Sequence, residues 1–301
     1  MTRLVSVGNV IVDLTVAIAE LPQPGGDVVG TSRGSRPGGS VNTMVAATRQ
    51  GLATAYGGAH GTGPFGDQVR ATLAAEGIEV LGEPHPDLDT GFDVALTDAT
   101  GERTFITVFG AEAHLDPAAL DHIPLAPGDY LHVSGYGLLA ATNGAPLTEW
   151  VTSVSPEVAT VFLDPGPLVG QIPKEFWASM LARADWVSLN QREAAEVSGK
   201  TKASDAVGAL GAHGVIVRTG AEGCVVGYEG VVTEVPGFRT HVVDTNGAGD
   251  AHAGAFLASL ARGTSPVEAA RIANACAAIA VSRVGPATAP TLAEVTEFIR
   301  R

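Results

Sequence analysis

Cysteine is nearly absent from this chain: Cys224 and Cys276 are the only two in 301 residues. Two thiols are too few for a disulfide framework or a cysteine-based zinc site. Both lie in apolar runs, where small buried hydrophobes belong. Basic side chains are also scarce, 18 against 32 acidic ones, for a net charge of −14. That balance argues against a general DNA or RNA binder, which needs a basic footprint, and against docking on anionic lipid. Any bound phosphate is expected to be held locally, by backbone amides and a few placed cations. No run reaches the roughly 18 consecutive apolar residues of a membrane-spanning helix. The opening MTRLVSVGNVIVDLTV has one arginine and a strand-like run broken by Gly8, Asn9 and Asp13, unlike a signal peptide. The expectation is a soluble, cytoplasmic protein with no nucleic-acid partner and no membrane partner. With 45% apolar and 17% charged residues it is not a disordered chain, and its length suffices for a real core.

What the chain has in quantity is punctuation. Its 38 glycines and 18 prolines fall between periodic segments, and no repeat of 20 to 50 residues is visible. A strand is expected over Leu4–Val7, then short extended pieces in a Gly/Pro-rich stretch over 14–36. A helix follows from Ser40 to a cap at Gly51, then a strand near 54–59 and a helix from Pro64 to Gly77. Phe92–Leu96 and Thr104–Phe109 read as a hairpin turned at Asp98–Gly101. After residue 115, strands near 130–133, 160–163, 186–189 and 215–218 alternate with helical patterns near 144–153, 174–184, 191–198 and 203–213. Such alternation predicts βαβ units and a parallel sheet covered on both faces. A second hairpin (224–227, 231–234) and helices over 249–262, 266–283 and 291–300 close the chain. The reading is one α/β domain over 1–301 with a small β element inserted at about 14–36 and 91–110.

The most informative stretch is Val242-Val-Asp-Thr-Asn-Gly-Ala-Gly-Asp-Ala-His-Ala-Gly254, a strand end, a Gly-containing turn and a long helix. Gly247, Ala248 and Gly249 are small enough for backbone amides to approach a ligand. They sit where a helix begins, so free N–H groups and the positive end of the dipole converge as an anion hole. Asp244 and Asp250 flank it. A carboxylate at a helix start beside a phosphate site can take a proton from an attacking hydroxyl, the arrangement phosphoryl transfer requires. The plain alternative is a Gly-rich turn with Asp250 as a helix cap.

Asp244-Thr-Asn-Gly-Ala-Gly-Asp250 resembles the C-terminal signature of the ribokinase-like (PfkB) family of carbohydrate kinases. The resemblance spans nearly the whole chain, with the pieces in the family's order. Gly8-Asn9 and Asp13 resemble its first sugar-binding segment. Pro37-Gly-Gly-Ser-Val-Asn42, a helix, and Gly61-Thr-Gly-Pro-Phe-Gly-Asp67 are similar to its first signature. Asn190-Gln-Arg-Glu193 matches its Asn-x-x-Glu motif, and Thr219-Gly-Ala-Glu-Gly223 its strand-then-Thr-Gly turn. The implied fold is a three-layer α/β/α domain with a mostly parallel central sheet and a small β-sheet lid. By this resemblance Asp250 is the base, with Gly247, Ala248 and Gly249 as the anion hole. Asn9, Asp13, Gly38, Gly39 and Asn42 hold the substrate. Asn190 and Glu193 organise magnesium and phosphates, Glu193 through water. Thr219, Gly220 and Gly223 lie at the nucleotide, and Asn274 beside the adenine. In many members a monovalent cation such as potassium is held near the anion hole. The matching positions are Asp244, Asn246, Ala280, Arg283, Gly285 and Ala289, mostly through backbone oxygens. Family lids often pair across a homodimer; a monomer with a self-covered lid is equally compatible with this sequence.

There are departures. Pro37 stands where the first signature begins with glycine. Val133-Ser-Gly-Tyr-Gly137 lacks the acid that ribokinase places on the strand after its lid, which tells against ribose; Tyr136 stacks on a substrate ring or packs in the core. Gly61-Thr-Gly-Pro-Phe-Gly66 also fits Gly-x-Gly-x-x-Gly, the basis of a rival reading as a nicotinamide-dependent dehydrogenase, although it does not follow the first strand. Ser198-Gly-Lys-Thr201 lacks the first glycine of a Walker loop and reads as a surface turn. No histidine pair has zinc-hydrolase spacing. A non-catalytic sugar-binding protein on the same fold is the third reading. The sequence thus predicts an ATP- and magnesium-dependent kinase of a small sugar or polyol, its acceptor unnamed.

Overall fold

In the computed structural model, which describes residues 2–100, 102–140 and 142–301, strands and helices alternate along most of the chain. The strands are β1 (Arg3–Ser6), β2 (Val10–Ala17), β3 (Thr31–Gly39), β4 (Ala53–Tyr56), β5 (Glu79–Val80), β6 (Phe92–Thr97) and β7 (Arg103–Val108), then β8 (Asp129–Ser134), β9 (Ala159–Asp164), β10 (Trp186–Asn190), β11 (Gly214–Arg218), β12 (Gly223–Tyr228) and β13 (Val231–Pro236). The helices are α1 (Ser40–Arg49), α2 (Pro64–Ala75), α3 (Pro117–Asp121), α4 (Tyr136–Leu139), α5 (Gly144–Ser153), α6 (Lys174–Arg183), α7 (Gln191–Ser198) and α8 (Ala203–Leu210), then α9 (Ala248–Ala261), α10 (Pro266–Ala280) and α11 (Leu292–Arg300). None of them, among the described residues, is long and apolar enough to cross a membrane.

Among the described residues nine strands form the main sheet, in the order β13-β12-β11-β10-β9-β8-β1-β4-β5. All its neighbours are parallel except β11 with β12 and β12 with β13. The period-2 alternation of each strand supplies two cores. Val161 and Leu163 of β9 pack under α3 to α8, while Phe162 between them packs with α1, α9, α10 and α11. This is the parallel, doubly covered sheet expected from the alternation after residue 115.

Four other strands form a separate small sheet, β3-β2-β6-β7. The sequence reading differs here. It expects short extended pieces over 14–36 and treats Asp13 as an interruption. The structure instead has an eight-residue strand with Asp13 inside it, paired along a nine-residue strand ending at Gly39. The reason is that β3 reads Thr-Ser-Arg-Gly-Ser-Arg-Pro-Gly-Gly, with little β-propensity of its own; as an edge strand it tolerates Pro37. The 92–109 hairpin is as expected. Asp98 closes its turn, accepting from the Thr100 and Glu102 amides; Gly101 lies outside the described residues. What the local pattern does not contain is the parallel pairing of β2 with β6, which joins the two segments. Val10 and Val12 point into a third core with Val41, Met44 and Leu73, so the intervening Ile11 and Asp13 face the opposite way.

Candidate active site

The four central parallel strands β8, β9, β10 and β11 are mostly apolar and buried, and each ends on a polar residue: Ser134, Asp164, Asn190 and Arg218. Carboxyl ends of parallel strands are where open α/β sheets bind ligands. A cavity of about 650 Å³ opens there, walled on its other side by the small sheet. That size accommodates a small-molecule ligand.

Asp250 lies in the first turn of α9 and lines this cavity. Its Oδ1 accepts from Thr43 Oγ1 at 2.8 Å and its Oδ2 from Asn42 Nδ2 at 3.3 Å. Burial, then the nearby Asp164 carboxylate, push its pKa up to about 6; Thr43, Asn42 and Arg218 hold it from rising further. Gly247 caps the helix in the left-handed conformation (φ 73°) that favours glycine. A methyl group at Gly249 would come within 3.2 Å of the Arg218 guanidinium. A helix N-terminus, a guanidinium and a carboxylate poised near neutrality therefore converge. Together they can stabilise negative charge and take a proton.

Arg218 is nearly buried and donates to Asp164 Oδ2 and Ser188 Oγ, each at 2.9 Å. It also lies 3.7 Å from Glu193 Oε2. Asn190 and Glu193 form the capping box that starts α7. Both Glu193 oxygens are engaged by Asn190, through its backbone amide at 2.8 Å and its side chain at 2.6 Å. Burial and Asp164 raise the pKa of Glu193, which Arg218 counters. With both oxygens engaged, this carboxylate fits an outer, water-mediated place around a magnesium ion.

On the small-sheet side, Asn9, Asp13, Gly39 and Asn42 all line the cavity. Asp13 Oδ2 accepts from Asn246 Nδ2 at 3.2 Å. A methyl at Gly38 would lie 2.4 Å from Asp13 Oδ1, so glycine there makes room for the carboxylate. Tyr136 also faces the cavity, and burial followed by Asp93, Asp250, Asp164 and Glu193 pushes its hydroxyl up to about 12. His132 lies deeper, against Ser6 Oγ at 2.9 Å, and burial drops its pKa to about 4, so it is neutral.

Of the remaining candidates, Asn246 lines the cavity and the others do not. Thr219, Gly220 and Gly223 form the turn after Arg218, where the Thr219 amide donates to Gly223 O at 2.8 Å. Asn274 donates its side-chain amide to Val235 O and Pro236 O, tying α10 to β13. The 244–246 and 280–289 loops do meet, since Asp244 Oδ2 accepts from the Gly285 amide at 3.0 Å. There the Ala280 carbonyl accepts from Thr288 at 3.2 Å and the Ala289 carbonyl from Arg49 at 2.9 Å. Arg283 is drawn to Thr288 O and Glu294. The Ala280 carbonyl also accepts from the Arg283 amide at 3.1 Å, which fills both its lone pairs; hard oxygen donors of this kind suit a monovalent cation chemically.

The Gly61–Gly66 turn has its helix-start amides filled from within. Asp89 accepts from the Phe65 and Gly66 amides at 3.1 and 2.8 Å, where a dinucleotide's pyrophosphate would need them. Ser198–Thr201 is the turn after α7, with Gly199 as its left-handed cap. Sequence reasoning missed Asp93, Asp164 and Arg218 as cavity groups and Thr43 as a partner of Asp250. For Asp164 and Arg218 a signal was present: each is the polar residue ending a buried parallel strand. Thr43 and Asp93 had none, because their meaning depends on contacts with distant segments.

Comparison with known proteins agrees with this geometry. The family described as "pfkB family carbohydrate kinase" matches residues 1–292. The chain is 34% identical over 297 residues to the "uncharacterized sugar kinase YegV" of Escherichia coli K12, covering 96% of this chain and 91% of that protein. It is 29% identical over 307 residues to an ATP-dependent ribose-1-phosphate kinase of Halopiger xanaduensis, covering 99% and 98%. Among solved structures, a ribokinase from Thermotoga maritima superposes with a TM-score of 0.87 at 25% identity, covering all of both chains.

Proposed function

The chain belongs to the pfkB family of carbohydrate kinases, and on that premise we propose that it transfers the γ-phosphoryl group of ATP to a hydroxyl of a small sugar or related polyol, with Asp250 as the base. The observation that carries this reading is Asp250 itself: a carboxylate at a helix start, within a cavity, with a pKa near 6. It is ionised at neutral pH yet basic enough to receive the acceptor's proton. The turn Gly247-Ala248-Gly249 faces the phosphoryl group in transfer, chiefly through its glycine amides since the Ala248 amide donates to Thr245 O at 3.3 Å, and Arg218 adds its charge. Asn9, Asp13, Gly38, Gly39 and Asn42 hold the acceptor. The 219–223 turn and Asn274 serve the nucleotide.

Magnesium, held mainly by the phosphates and water with Asn190 and Glu193 around it, would supply charge neutralisation. A monovalent cation would be held by the oxygens of the 244–246 and 280–289 loops and would support the anion hole from behind. The small sheet acts as a lid that excludes water. Its edge strand β7 leaves Ile106 and Val108 exposed, a surface that a second copy would cover in a lid-to-lid homodimer.

The test is ATP consumption by the purified protein, with magnesium and potassium, against sugars, polyols and nucleosides. Turnover with one compound, abolished by Asp250→Asn, supports the reading. Thermal stabilisation by a sugar without turnover moves it to a binding protein.

A further inference from the structure

One cavity group has no part in the reaction just described. Asp93 is the parallel neighbour of Asp13 across β2 and β6. Alternation along β6 sends Phe92 toward Phe65 in the packed layer and Asp93 to the cavity. Asp93 is only 7% exposed, and its Oδ1 has no hydrogen-bond partner among the described residues. Nearby, Asn9 is also 7% exposed and its Nδ2 is equally unpartnered. Buried polar atoms without partners are rare and costly. An acceptor (Asp93 Oδ1) and a donor (Asn9 Nδ2) facing one cavity are what a hydroxyl-bearing ligand would satisfy.

The charge around them is one-sided. Among the described residues the cavity is lined by Asp13, Asp93, Asp164, Glu193 and Asp250 against a single arginine, Arg218. Arg218 is already engaged by Asp164 and Glu193. Arg36, the cross-strand partner of Asp13 on β3, is exposed and directed at Gly285. The small-sheet end is therefore acidic, and Phe105 and Thr107 beside Asp93 add no charge. Burial, then the neighbouring Asp13, push the Asp93 pKa up to about 7, consistent with two carboxyl groups sharing a closed space.

Resting on the kinase reading above, we propose that Asp93 is a specificity-determining residue of the acceptor site: it takes a hydrogen bond from a hydroxyl of an uncharged sugar or polyol and, with Asp13, rejects carboxylated and phosphorylated sugars. The hydroxyl fills the orphaned acceptor. An anionic substituent would leave it unpaired and add a like charge, the repulsive half of specificity.

The experiment measures kcat/KM with ATP and magnesium for matched acceptors: ribose and ribose 1-phosphate, fructose and fructose 6-phosphate, glucose and gluconate. It is run on wild type, Asp93→Asn, Asp93→Ala and Asp250→Asn, with melting temperatures recorded for every protein and compound. An uncharged member is expected to be preferred by on the order of 100-fold over its anionic partner. In Asp93→Asn that ratio is expected to fall about tenfold, through the acceptor KM, while the ATP KM holds and the melting temperature does not fall. Preference for an anionic acceptor, with turnover lost in Asp250→Asn, overturns the proposal and leaves the kinase reading standing. Wild-type acceptor KM and preference in both Asp93 variants overturns it as well. If no compound is phosphorylated or raises the melting temperature, the sugar-kinase reading fails and the proposal falls with it.

Discussion

The Thr43 hydroxyl donates to Asp250 Oδ1 at 2.8 Å, joining the first turns of two helices 207 residues apart in sequence. This contact favours the ionised carboxylate and so restrains the upward pull of burial on its pKa. Thr43→Val keeps the shape and removes the donor. The acid limb of the kcat–pH profile is expected to move to higher pH, with kcat at neutral pH down by about tenfold, the scale of one hydrogen bond to a charged group. Thr43→Ser is expected to restore both. A profile unmoved by Thr43→Val would separate Thr43 from the base.

Asp250→Asn is expected to lower kcat by about 100-fold or more while leaving the fold intact, the scale of losing a general base. Because the wild-type carboxyl titrates near 6, wild-type kcat is expected to fall as pH drops below that value. Stability runs the other way. A carboxyl raised from 3.8 to about 6 binds its proton more tightly folded than unfolded, so ionised Asp250 destabilises the native state. Thermal unfolding should find Asp250→Asn more stable than wild type at pH 7.5. The gap should be complete above pH 6 and shrink as pH falls toward 4. Equal melting temperatures across that window would contradict the burial of this charge.

Arg218 compensates two carboxylates at once, Asp164 at 2.9 Å and Glu193 at 3.7 Å. Arg218→Met leaves both unpaired in a largely buried place. Urea unfolding is expected to show a loss of about 3 kcal/mol, the usual cost of breaking a buried pair from one side. Adding Asp164→Asn should recover part of it, since one of the stranded charges is gone. A double variant no more stable than Arg218→Met would mean the two groups are not coupled.

Gly38→Ala places a methyl 2.4 Å from Asp13 Oδ1, a separation no relaxed contact allows. The carboxylate must turn away, breaking its 3.2 Å bond from Asn246. Steady-state kinetics should show the acceptor KM raised by about tenfold or more, with the ATP KM unchanged. Asp13→Ala is expected to do the same. An acceptor KM that ignores both variants would remove Asp13 from the substrate site.

Much of this protein is legible in its residues. Local alternation after residue 115 predicts the parallel sheet, because a buried strand must be apolar and a covering helix amphipathic. The stretch from Asp244 to Asp250 predicts an anion hole, because small residues at a helix start leave amides exposed. The polar ends of β8 to β11 were readable in the same way. Where local chemistry is weak, the reading stops. The run from Thr31 to Gly39 becomes a strand only because β2 lies beside it. Asp93 becomes a neighbour of Asp13 only because β2 and β6 pair in parallel across about 80 residues of intervening chain. Thr43 acquires a partner only when α1 packs against α9. Periodicity and turn chemistry act within a few residues, so the sequence by itself determined most of the elements, the two faces of the main sheet and the glycine turn that starts α9. Strand pairing and helix packing are long-range choices made by the whole core, and they alone decided which carboxylates share the cavity.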